Sequence, residues 1–168
     1  MALSEALLPE FDHEMAGTRK TLERVPDDKL DWKPHAKSMT VRQLALHLAL
    51  FPSWMTDTLE KTSFDYAPVG GEPYKPPVVN SRHDLLEIFD RDLAKAREKL
   101  KGASDAQLME KWSLLAGGKT IFSLPRVAVF RSMIMNHMIH HRAQLGVYLR
   151  LNDLPVPALY GPSADEQG

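Results

Sequence analysis

The chain has 168 residues, 43% of them apolar and 26% charged, which suits one soluble domain with a sizeable core. Its 21 basic and 22 acidic residues leave a net charge of −1 and form no basic stripe, which argues against nucleic acid or an acidic membrane surface as a partner. Cysteine is absent, which excludes disulfides, thiolate metal ligands and a cysteine nucleophile, so any thiol in its chemistry comes from a small molecule. No apolar run reaches the length of about 18 residues that a membrane span needs. The first residues, Met1-Ala-Leu-Ser-Glu-Ala-Leu-Leu, lack the basic region of a signal peptide, so a cytoplasmic location is expected.

The first predicted helix runs from Ser4 to Arg24. Leu8, Phe11, Met15, Thr18, Leu22 and Val25 recur at helical spacing and make one apolar face. Pro26-Asp-Asp ends it. After the segment Leu30 to Lys37, Thr40-Val-Arg-Gln43 reads as a capping box. The helix that follows, Val41 to Leu59, carries Leu44, His47, Leu48, Phe51, Met55 and Leu59 along one stripe. Pro52 should kink it or start a new helix. Ser63 to Asn80 holds four prolines and two glycines after Ala67, and is expected to be a crossover without regular structure, with the length of a lid. Ser81-Arg-His-Asp84 opens a third helix, continued by Leu86, Phe89, Leu93, Ala96 and Leu100 to Gly102. Ser104 caps a short helix, and Trp112 to Phe122 reads as a small hairpin around Gly117-Gly118. Ser123-Leu-Pro125 opens the last helix, whose inner face holds Val127, Phe130, Ile134, His137, Met138, His141, Leu145 and Tyr148. The expectation is an all-α four-helix bundle over residues 1–152, with a long crossover between helices 2 and 3. An irregular tail, partly mobile, is expected over 153–168.

Three histidines fall on these apolar stripes. His137 and His141 stand at i and i+4, so their rings leave the same face of one helix. His47 lies mid-helix on another stripe. A histidine pair at this spacing can chelate an ion, and a third imidazole from a neighbouring helix would complete three ligands. The same pattern also suits three core histidines, each hydrogen-bonded to a carbonyl or carboxylate. His140 is turned away from His141 and would stand behind it or at the helix boundary. His13, His35 and His83 read as solvated. Glu10 and Glu14 lie near the inward face of the first helix, where either could supply a fourth ligand or a base, although a solvated flank is the plainer reading. Trp54 and Met55 read as core. Ser113 to Thr120 is close to a phosphate-binding loop, but Ser113 replaces its first glycine and no parallel strand–loop–helix unit surrounds it.

Trp32-x-Pro34, Ser38-x-x-x-Arg42-x-Leu44-x-x-His47-Leu48 and His137-x-x-His140-His141-Arg142-x-Gln144-Leu145 resemble the DinB-like superfamily of damage-inducible bundles. The resemblance runs from the first helix to the end of the last, and its C-terminal run is the most specific part. It implies a four-helix bundle with a long crossover, a homodimer, and a divalent metal held by three histidines. By position these are His47, His137 and His141. Ala143 stands where a glycine is frequent, off the ligand face.

An ion held by three neutral imidazoles keeps its charge and has positions open for water or substrate, which makes it a strong Lewis acid. Zinc, nickel and iron(II) all suit such ligands. One expectation is therefore a metal-dependent enzyme acting on a small molecule. The resemblance implies thiol S-transfer with a low-molecular-weight thiol, or hydrolysis or isomerisation. The other is a stress-associated protein in which the ion is structural. An open coordination position beside a cleft under the 63–80 segment separates the two. DNA binding, which the superfamily's name suggests, has no basic surface to support it.

Overall fold

The computed structural model describes residues 2–167. Helix α1 (Leu3–Leu22) buries Phe11, Met15, Thr18 and Leu22 along one face, as its spacing predicts. Helix α2 (Val41–Ala49) opens on the expected capping box: Thr40 Oγ1 accepts the Gln43 N–H at 3.2 Å, and Gln43 Oε1 accepts the Thr40 N–H at 2.9 Å. A break at Leu50 separates it from α3 (Phe51–Glu60). Pro52 falls in the first turn of α3, where a missing N–H costs no helical hydrogen bond, so it starts a new helix. Ser81 caps α4 (Arg82–Gly102) and Ser104 caps α5 (Asp105–Met109), each accepting a backbone N–H at 3.1 Å. The last helical stretch is α6 (Arg126–Val129), a π-helical segment (Phe130–Asn136) and α7 (His137–Leu151). Phe11, Phe51, Phe89 and Phe130, from four different helical stretches, meet in the core with no exposed surface.

The protein is mostly helical but not all-α, which corrects the sequence expectation. Strands β1 (Ser63–Asp65), β2 (Lys111–Ala116) and β3 (Lys119–Pro125) form a mixed sheet in that order. The hairpin β2–β3 lies where Gly117-Gly118 placed it, and both glycines take the positive φ that a tight hairpin turn needs (+59° and +73°). Strand β1 was not expected. It pairs parallel with β2, Ser63 to Ser113, Phe64 to Leu114 and Asp65 to Leu115. The prolines and glycines that read as irregular structure all follow it, and from Tyr66 to Asn80 the crossover holds no helix or strand.

Asp65 closes the unit. Its carboxylate accepts the N–H groups of Ala67, Gly117 and Gly118 at 3.0, 3.1 and 2.7 Å, pinning the hairpin tip to the start of the crossover. Buried Arg126 ties the sheet's end to the helices. It donates to the carbonyls of Thr58, Lys61 and Gln107 and pairs with Glu110.

The tail after Asn152 is irregular but docked. Asp165 pairs with Arg150 and Glu166 with Arg24. The Tyr160 hydroxyl donates to Glu14 Oε2 at 2.7 Å. No helix among the described residues is long and apolar enough to cross a membrane.

Candidate metal centre

Helix α2 presents His47 half-buried at its inner face, against the rings of Phe51 and Trp54 at 5.2 and 5.0 Å. His137 opens α7, directly after the π-helical segment, and His141 follows one turn later. The π-helical segment buries Phe130, Ile134 and Met135. His137 Nε2 lies 3.4 Å from His47 Nε2 and 2.8 Å from His141 Nε2. All three ligand atoms fall within 4.8 Å of one another. Two nitrogens about 2.0 Å from one tetrahedral ion lie about 3.3 Å apart, so the cluster has the span of a metal site.

The outer contact of one ring decides what its inner nitrogen is. His141 Nδ1 donates to Gln144 Oε1 at 2.7 Å. This contact fixes the tautomer that leaves His141 Nε2 as a bare lone pair. That lone pair faces His137 Nε2 at 2.8 Å, with His47 Nε2 3.4 Å from His137 Nε2, and three imidazole nitrogens gathered this closely form a donor set that fits a divalent ion. The electrostatics agree. Burial pushes the His47 pKa down to about 4, with the neighbouring His141 and His137 adding to the shift. Burial, then His141, holds His137 below the ordinary value, and burial does the same for His141 against the opposing Gln144 contact. All three rings are therefore neutral, ready ligands at neutral pH.

The other candidates separate from the cluster. His140 is exposed, 5.0 Å from the His141 ring. His13, His35 and His83 are exposed, as expected. Glu10 pairs with Arg131. Glu14 is not the solvated flank that its helix position suggested: it is buried and bound to Arg142 at 2.6 Å. Neither carboxylate joins the histidines.

Beside the cluster lies a cavity of about 310 Å³, and His137 forms part of its wall. Helix α3 contributes Trp54 and Asp57, the crossover Tyr66 and Tyr74, and the sheet Trp112 and Phe122. Trp54, read from sequence as core, packs on the core and also lines this cavity, whereas Met55 is fully buried. The cavity escaped the sequence reading because its walls come from elements far apart in the chain. The available signal was the run of aromatics at Phe64, Tyr66, Tyr74, Trp112 and Phe122, all outside the helices.

A sequence model of the DinB family matches residues 3–167. The chain belongs to the DinB family. Solved structures of DinB-like proteins share the fold. One from Bacillus cereus ATCC 10987 is 24% identical with a TM-score of 0.70, covering 93% of this chain and 97% of its own. Another from Bacillus subtilis is 18% identical with a TM-score of 0.68, covering 92% and 96%. No curated protein matches.

Motif residues of this DinB-family chain that do not reach the histidines hold the frame around them. Trp32 packs edge-on against Tyr148 at 5.6 Å. Arg42 bonds the Val79 carbonyl and pairs with Asp31, tying α2 to the far end of the crossover. Arg142, next to His141, donates to the Glu14 carbonyl and carboxylate at 2.8 and 2.6 Å and bonds the Tyr160 hydroxyl. That network locks α7 to α1 and to the tail.

Proposed function

We propose that this DinB-family chain is a divalent-metal-dependent enzyme acting on a small molecule, thiol S-transferase-like or hydrolase-like, with the ion held by His47, His137 and His141. The observation that carries this reading is the double membership of His137, which belongs both to the three-histidine group and to the cavity wall. Zinc, nickel or iron(II) bound there would supply Lewis acidity with a position left for substrate. The chain's own residues do the rest. Gln144 orients the His141 ring, Phe51 and Trp54 pack against His47 and limit water, and the cavity receives the substrate.

The competing reading is an ion that only staples the helices. A structural site of that kind takes a fourth protein ligand. Among the described residues no further His, Cys, Asp or Glu joins the group, which favours the enzyme. The test is an assay of zinc-, nickel- and iron-loaded protein with a panel of low-molecular-weight thiols plus an electrophilic acceptor, and with small esters and amides. The proposal expects a metal-dependent rate in one of these arms that His137→Ala removes. The absence of such a rate with every pair would leave the structural ion as the better reading.

A further inference from the structure

The crossover that closes one side of the cavity is anchored at both ends and nearly free between them. At its start Asp65 accepts three backbone N–H groups, and the Tyr66 N–H donates to the Leu115 carbonyl at 3.3 Å. At its far end Val79 is buried, its carbonyl accepts from Arg42, and the Asn80 N–H donates to Asp84 at 2.7 Å. Between these anchors residues 69–78 are all exposed.

The backbone shows how little holds the middle. Among the described residues, one backbone hydrogen bond joins residues 68–78 to the rest of the chain, from the Tyr74 N–H to the Tyr66 carbonyl at 3.0 Å. The Gly71 N–H bonds to Pro68 and Lys75 pairs with Glu72, both within the segment. Pro68, Pro73, Pro76 and Pro77 fix φ and offer no N–H, so the segment is stiff without being attached. Segments with few buried contacts and solvated backbone are the first to open in a native protein.

Its grip on the cavity is the side chain of Tyr74. That residue lines the cavity, its ring edge-on to Phe64 of β1 at 5.7 Å. Burial, then the charge of Asp57 in the same wall, holds its hydroxyl above the ordinary tyrosine pKa. Even so, 44% of the residue is exposed. Tyr66, the other tyrosine of the wall, follows Asp65 directly and is tied to β2 through its own N–H. Part of the wall is therefore one ring on a loosely held strap, beside walls carried by helix and sheet.

We propose that residues 68–78 form a strap that opens and closes the cavity, hinged at the Asp65 and Val79 anchors, with Tyr74 as the gate. Opening breaks the Tyr74 N–H bond and withdraws one ring, while Tyr66, the sheet and the three histidines stay in place. The proposal rests on the metal-enzyme reading only for what passes the gate.

Residue-resolved hydrogen exchange on the purified protein reads the motion without a ligand. The Tyr74 amide should exchange about 100-fold faster than the Tyr66 and Gly118 amides, at a rate that low urea leaves unchanged while theirs rises. Asp65→Asn weakens the first anchor without altering the wall and should speed Tyr74 exchange about tenfold. Pro68→Gly loosens the same hinge with the Asp65 bonds intact, and should act in the same direction. The chain has no cysteine, so Leu114→Cys places a single thiol in the cavity wall. Its labelling by methyl methanethiosulfonate should accelerate in each hinge variant by the same factor as Tyr74 exchange. A Tyr74 amide as protected and as urea-sensitive as that of Tyr66, or thiol labelling indifferent to the hinge variants, would overturn the proposal. Failure of the metal reading looks different: the protein would take up no ion while the strap still opened.

Discussion

Nε2 of His47 lies 3.4 Å from Nε2 of His137, although the two residues are 90 positions apart in the chain. A contact of that kind survives only if the helices carrying it are held in register. Several features of the fold do this work, and each gives a measurable consequence.

Gln144 aims His141. Removing the amide in Gln144→Ala leaves Nδ1 without its 2.7 Å partner and frees the ring to rotate or change tautomer. Metal affinity should fall about 10- to 100-fold, the usual cost of losing such a support. His140→Ala, which removes an exposed ring outside the cluster, should leave affinity unchanged. A competition titration against a chromophoric chelator measures both, and equal affinities for the Gln144 variant and the wild type would count against the orienting role.

Glu14 and Arg142 form the buried ion pair that joins α1 to α7. Glu14→Ala strands the guanidinium in the core, and Arg142 also loses its geometry with Tyr160. The expected loss is about 3–5 kcal/mol in urea unfolding. Glu14→Gln, which keeps an acceptor oxygen, should lose less. A loss well below 1 kcal/mol in Glu14→Ala would mean that the pair does not hold the helices.

The three histidines make the metal-free protein acid-sensitive in a defined window. Their folded pKa values lie below the unfolded value of about 6.5, that of His47 at about 4. Below pH 6.5 the unfolded chain takes up protons that the native rings refuse, so native stability falls as pH drops from about 6.5 towards 4. Above that window their contribution is flat. Zinc occupies the same lone pairs and should shift the onset of the loss to lower pH. Unfolding midpoints measured from pH 7.5 to 4.5, with and without zinc, test this. A flat metal-free profile across the window would contradict it.

The helices and the histidines were legible in the sequence because their signals are local. Apolar residues at helical spacing mark the buried faces. Thr40–Gln43, Ser81 and Ser104 mark helix starts, and Gly117-Gly118 marks a hairpin. The histidine pair at i, i+4 lies within one of those patterns. What stayed hidden depends on partners distant in sequence. Strand β1 has three residues, and its only reason to be extended is β2, about fifty positions away. The π-helical turn before His137 has no composition that announces it. The burial of Glu14 is set by Arg142, 128 positions on, so helix position alone suggested solvent. The cavity follows the same rule. It exists because the sheet and crossover stand off from α3, and no single segment encodes it.

The central claim is that His47, His137 and His141 together hold a divalent ion. Metal analysis of the purified protein, run beside His47→Ala, His137→Ala and His141→Ala, tests it most directly. The account predicts a single divalent ion per chain in the wild type and its loss in each variant, with the fold retained by circular dichroism. A wild type without metal after loading, or variants that keep the wild-type content, would contradict it.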